Sequence, residues 1–94
     1  MVKIIYSYEV PKEKHDEYLK ITKDEIKPFW ESHGCDVYAV WLSPEGSTRF
    51  IKEMVFKDER TMQSTLNLAE AEPIKKLFFQ FAAGITRATY SQVV

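Results

Sequence analysis

The run Asp36-Val37-Tyr38-Ala39-Val40-Trp41-Leu42, the connection Ser43-Pro44-Glu45-Gly46-Ser47, and the run Thr48-Arg49-Phe50-Ile51-Lys52-Glu53-Met54-Val55-Phe56 decide the fold. Both outer runs are dense in Val, Ile, Tyr, Trp and Phe, which pack well on a pleated surface, so each reads as a strand. The five residues between them carry the Pro and Gly of a tight turn. The two strands are therefore expected to pair antiparallel, as a hairpin.

Upstream of the hairpin, Gly34 marks the end of a helix. Residues Lys12 to Ser32 are mostly charged, with Leu19, Thr22, Ile26 and Phe29 forming one apolar stripe at helical spacing. Pro28 lies inside this pattern and is expected to kink the helix or split off its last turn. Before it, Val2 to Val10 reads as a strand closed by Pro11. Downstream, Asp58 is the expected N-cap of a second helix with Met62, Leu66 and Ala69 on its first stripe. Pro73 restarts that helix, Ile74, Leu77, Phe78 and Phe81 continue it, Gly84 caps it, and Ile85 to Val94 forms the last strand. The order is β-α-β-β-α-β over residues 1–94. It specifies a ferredoxin-like α+β domain, a four-stranded antiparallel sheet with two helices on one face.

That sheet carries apolar residues on both sides. Val2, Ile4, Tyr6, Tyr8 and Val10 share one side of the first strand, yet Ile5 lies on the other. Tyr38, Val40 and Leu42 oppose Val37, Ala39 and Trp41. Phe50, Met54 and Phe56 oppose Ile51 and Val55. Two helices cover one face only, and the other exceeds the apolar patch a soluble monomer ordinarily shows. A homodimer through the helix-free face is the expected remedy, because a two-fold interface buries the same patch on both chains.

Charge and composition remove several functions. Thirteen Lys and Arg against 14 Asp and Glu leave a net charge of −1, so neither nucleic acid nor an anionic membrane is an expected partner. No apolar run approaches the roughly 20 residues of a membrane span, and the start is too short for a signal peptide. The one cysteine, Cys35, admits no internal disulfide and no Cys-pair metal site; a reducing, cytoplasmic location is expected, with the thiol as buried filler. The RNA-recognition motif shares this order of elements, but Arg49 to Phe56 lacks its glycines. Phosphate-binding glycine loops are also missing, since Gly34, Gly46 and Gly84 all punctuate elements.

Candidate site residues follow from charge placed in apolar strands. Lys52 and Glu53 are neighbours and so point to opposite faces of a central strand, each into a mostly apolar layer. Either they form ion pairs, with Glu9, Arg49 or Arg87 as partners, or one anchors a pocket lined by Tyr6, Tyr8, Trp41 and Phe50. In the second case Glu53 acts as a general base, with Tyr6 beside it, and Tyr8, Trp41, Phe50, Lys52 and Arg87 bind ligand. Phe78, Phe79, Phe81, Trp30 and Trp41 either belong to the core or enclose a planar hydrophobic molecule. His15 and His33 stand 18 residues apart, about 27 Å along a straight helix, and share no metal. His33 is a third catalytic candidate, or simply a helix C-terminal residue whose charge suits the dipole. No metal site is expected.

On these residues the chain resembles the dimeric α/β-barrel superfamily. Ile26-Lys27-Pro28-Phe29-Trp30-Glu31-Ser32-His33-Gly34, leading into Val37 to Trp41, resembles NIPSNAP-like proteins. Phe50 to Phe56 followed by Lys57-Asp58-Glu59 is similar to antibiotic-biosynthesis-monooxygenase-like proteins, and Ala71-Glu72-Pro73-Ile74 matches the break in the superfamily's second helix. The resemblance implies two ferredoxin-like sheets paired into a barrel, with a ligand held between sheet and helices. Haem-degrading members use a histidine on the second helix, which this chain lacks, and related monooxygenases use an asparagine on the first strand, where Tyr6, Ser7 and Tyr8 stand. No cofactor is therefore expected. Two readings remain: a homodimer that binds a small hydrophobic or aromatic molecule, and a cofactor-independent monooxygenase or isomerase.

Overall fold

The structure, a computed structural model, describes residues 1–45 and 47–94. Four strands form one antiparallel sheet: β1 (Val2–Glu9), β2 (Val37–Leu42), β3 (Arg49–Phe56) and β4 (Ala83–Ser91), in the order β2-β3-β1-β4. This is the ferredoxin-like arrangement the sequence specifies. In the β2–β3 connection Ser43 N–H donates to Arg49 O at 3.0 Å and Arg49 N–H to Ser47 Oγ at 2.7 Å. Gly46, part of the turn reading, lies outside the described residues.

The register settles which side chains go where. Tyr6 pairs with Lys52, Tyr8 with Phe50 and Ile4 with Met54, so these share the helix-facing side. Ile5 with Glu53 and Trp41 with Ile51 share the other. The core between sheet and helices holds Ile4, Tyr8, Tyr38, Phe50, Met54 and Phe56 from the strands, against Tyr18, Ile26, Trp30, Met62, Phe78 and Phe81 from the helical layer.

The first helical segment departs from its expected face. It comprises α1 (His15–Ile21), a π-turn over Thr22–Ile26 and α2 (Lys27–Ser32). Its buried residues are Tyr18, Thr22, Ile26 and Trp30, each four after the last, whereas Leu19 is exposed. On a straight α-helix residues four apart drift by about 40° per step. The π-turn, with Lys27 N–H bonded to Thr22 O, takes more residues per turn and brings the row back over the sheet. The π-turn ends just before Pro28, which offers no N–H and stands in the first turn of the separate segment α2.

The second helical segment is α3 (Glu59–Leu66), a 3₁₀ turn at Ala69–Ala71 and α4 (Glu72–Phe81). Asp58 caps α3 by accepting the Thr61 N–H at 2.7 Å, and Pro73 stands in the first turn of α4, both as expected. Gly84 serves a different purpose from the one expected. It lies within β4, at φ +61°, where the pairing with β1 shifts register between Ser7 and Glu9; the bulge needs its left-handed backbone, and Ala82 closes α4 instead.

Gly34 has φ +115°, and a Cβ there would stand 2.5 Å from Thr65 Oγ1, whose hydroxyl donates to His33 O at 2.9 Å. At Gly84 a Cβ would meet nothing within 4 Å. Gly34→Ala is therefore expected to destabilise the domain by about 3 kcal/mol, combining backbone strain with a broken hydrogen bond. Gly84→Ala is expected to lose only about 1 kcal/mol. Urea unfolding of the two variants checks the contrast; equal losses would show that the α2–β2 corner gives way freely.

Candidate functional site

The helical layer covers β2, β3 and β1 and leaves β4 exposed along nearly its whole length. A cleft of about 480 Å³ opens where that cover ends. Tyr6, Lys52 and Met54 form its sheet side, and Trp30, Leu66, Phe78 and Phe79 its helical walls. Gln63, Asn67, Ile74 and Lys75 from the helical layer and Ile85 and Arg87 from β4 complete it.

Lys52 is the unusual member. Its side chain is 4% exposed, and among the described residues it has no ion-pair partner and makes no side-chain hydrogen bond. Nζ lies 3.5 Å from the centre of the Phe78 ring and 4.4 Å from that of Tyr6, with Tyr38 further away at 5.7 Å. Aromatic faces attract an ammonium, but less strongly than a carboxylate does in an apolar site. Loss of water therefore dominates and pulls the amine down from the ordinary lysine value to about 7. The other ionisable groups around it are the hydroxyls of Tyr6 and Tyr38, the Cys35 thiol, and the cations Lys75 and Arg87. Among the described residues no carboxylate lines the cleft.

The residues singled out from the sequence divide three ways. Tyr6, Lys52 and Arg87 meet in the cleft, with Trp30, Phe78 and Phe79 from the aromatic set. Tyr8 and Phe50 are fully buried beside it, stacked on each other at 5.8 Å, and the Tyr8 hydroxyl is hydrogen-bonded to that of Tyr18. They support the floor without reaching the opening. Glu53 and Trp41 lie elsewhere, which corrects their assignment to one pocket with Tyr6 and Lys52, and His33 does not line the cleft either. Strand alternation sends Glu53 to the helix-free face, where Lys3 Nζ donates to its carboxylate at 2.8 Å. Trp41 lies on that same face, 58% exposed. His33 ends α2, its ring stacked on Phe29 at 4.1 Å and its Nδ1 2.7 Å from Phe29 O. Cys35 is buried, its Sγ donating to Val37 O at 3.1 Å, and burial pushes the thiol up to about 11.

Sequence reasoning does not single out Met54, Gln63, Leu66, Asn67, Ile74, Lys75 or Ile85 as site residues. A signal for Lys75 was present: it shares an α4 face with Phe78 and Phe79 at i, i+3 and i+4, a cation on the rim of an aromatic stripe. It pairs loosely with Glu72 at 3.5 Å. Among the described residues no cluster of His, Cys, Asp or Glu has the makings of a metal site, and no helix is long and apolar enough to cross a membrane.

No family model matches the chain, and no curated protein matches its sequence. Solved structures do. A variant of SnoaB, a cofactor-independent oxygenase from Streptomyces nogalater, superposes at a TM-score of 0.86 with 10% identity, over 99% of this chain and 93% of that one. An antibiotic biosynthesis monooxygenase matches at 0.78 with 14% identity over the full length of both chains. A NIPSNAP domain protein from Burkholderia xenovorans matches at 0.75 with 12% identity, over 99% and 95%. At such identities the likeness establishes the fold, which is the one the resemblance of Ile26–Gly34 and Phe50–Phe56 implies.

Burial of Lys52 makes stability depend on pH. The unfolded amine holds its proton up to about pH 10.5 and the folded one only to about 7, so above pH 7 the unfolded state binds more protons and stability rises with pH. The rise is expected to reach at most about 1.4 kcal/mol per pH unit. Above about pH 9 the raised Cys35 thiol works in the opposite direction. Urea unfolding between pH 6.5 and 8.5 is therefore expected to show increasing stability in the native chain relative to Lys52→Met. Parallel curves would mean that the amine keeps its water.

Proposed function

We propose that the cleft binds a small planar hydrophobic molecule and directs an electron-rich oxygen of that molecule, a carboxylate, phenolate or carbonyl, at Lys52. The observation that supports this most is the buried amine, without a hydrogen-bond or ion-pair partner among the described residues, in an aromatic-walled cleft of about 480 Å³. Small-molecule sites have this make-up, mostly apolar with a few convergent polar groups. Arg87 and Lys75, the latter loosely paired with Glu72, add positive charge, and among the described residues no carboxylate lines the cleft, which favours an anionic or polarisable ligand.

A second reading is catalytic. An amine titrating near 7 is matched to general-base work at neutral pH, taking a proton from an acidic C–H or a phenol. Isomerisation needs only its return. The fold shared with SnoaB, described as a cofactor-independent oxygenase, adds weight to this reading. Tyr6 is the neighbouring polar group in either case.

We also propose that a second copy of the chain, within the cytoplasm, covers the helix-free face. Val37 is 44% exposed there, Trp41 58% and Tyr90 53%, around the Lys3–Glu53 ion pair. Trp41→Asp is expected to convert a sedimenting dimer into a species of single-chain mass. Unchanged sedimentation would remove this face from the interface.

Two tryptophans exist, so Trp41→Phe leaves Trp30, on the cleft wall, as the only one. In that background 2-naphthoate is expected to quench Trp30, and uncharged naphthalene to bind at least tenfold more weakly. Because Lys52 loses its charge above about pH 7, naphthoate affinity is expected to fall from pH 6 to 8.5, and to be independent of pH in Lys52→Met. Equal affinity for both probes, or no quenching, refutes the anchoring role.

A further inference from the structure

Building on the ligand-binding reading of the cleft, we propose that Lys52 captures carbonyl compounds covalently: its Nζ condenses with an aromatic aldehyde or ketone to form an imine. Nζ adds to the carbonyl carbon, making a C–N bond and a carbinolamine. The former carbonyl oxygen then leaves as water, carrying the two protons originally on the nitrogen, and a C=N bond remains. Neither oxidant nor reductant enters the balance.

Three features of the cleft favour this step. The amine makes no hydrogen bond and has no ion pair among the described residues, so its lone pair is not blocked by a fixed partner. The faces of Phe78 and Tyr6, 3.5 and 4.4 Å from Nζ, provide an apolar surface for an aromatic carbonyl compound and limit the water that would reverse the condensation. Among the described residues the lining also contains no carboxylate to hold the amine as a cation, while Lys75 and Arg87 line the same cleft and can take an acidic substituent of the ligand.

Protonation points the same way. With a value of about 7, roughly half the Lys52 amines are uncharged and nucleophilic at neutral pH, against about one in 2,500 for an ordinary exposed lysine. The chain has ten lysines, and among the described residues Lys52 alone is buried.

The full-length protein is incubated at pH 7 with one equivalent of 2-hydroxy-1-naphthaldehyde, reduced with cyanoborohydride and mapped by peptide mass spectrometry. The expected result is one adduct per chain, at least tenfold more on Lys52 than on any other lysine and lost in both Lys52→Met and Lys52→Arg. The rate of Lys52 labelling is expected to level off above about pH 7, while surface lysines continue to climb. Two variants guard against one that fails to fold, and the pH profile of the native chain needs neither. Adducts spread evenly over the lysines, or a Lys52 rate that climbs like theirs, overturn the inference. Quenching of Trp30 by 2-naphthoate separates the two ideas: quenching without a Lys52 adduct removes the imine and leaves the binding site, whereas loss of both removes both.

Discussion

The two-residue period of β3 is the constraint on which the rest of the molecule depends. This strand lies inside the sheet, between β2 and β1, so each of its side chains enters a layer and none escapes at an edge. Alternation commits Phe50, Lys52, Met54 and Phe56 to the helical layer and Ile51, Glu53 and Val55 to the opposite face. Three of the first four are core residues of large volume, and their burial fixes the strand's rotation. Lys52 is buried as a consequence. A one-residue slip would bring Glu53 inward and expose Phe50, which the loss of apolar burial forbids.

Much of the architecture was legible because its punctuation is chemical. Pro11, Asp58 and Pro73 occur where a backbone N–H must be capped or dispensed with, and Gly34 where φ must be positive; the order of elements follows from them. The face of the first helical segment was not legible. Leu19 fits an α-helical stripe better than Tyr18 does, and only the π-turn, which no residue type announces, makes the four-residue row Tyr18, Thr22, Ile26 and Trp30 the buried one. Gly84 was misread for a related reason. Its left-handed backbone was foreseeable, but whether that ends a helix or bulges a strand depends on pairing with β1.

The site was half legible. Adjacent Lys52 and Glu53 had to face opposite ways, and Phe50, Met54 and Phe56 share the parity of Lys52, so the assignment of lysine to the buried side was available from spacing alone. The partners were not. Lys3, opposite Val55 and so two positions from Glu53 in register though fifty in sequence, pairs with it through β1–β3 contact, and the cations proposed for Glu53 are elsewhere. The cleft itself comes from a mismatch of widths: four strands lie beneath a helical layer that spans three. No local pattern records that difference, although the weakly apolar composition of β4 is its counterpart.

The π-turn at Thr22–Ile26 carries one residue more than an α-helix of the same rise would hold. Trp30 is placed downstream of that surplus, so removing a single residue from the turn would rotate α2 by about 100° about its axis and swing the indole out of the cleft wall. One wall of the cleft thus takes its orientation from a local miscount in the helix, with every strand left in register.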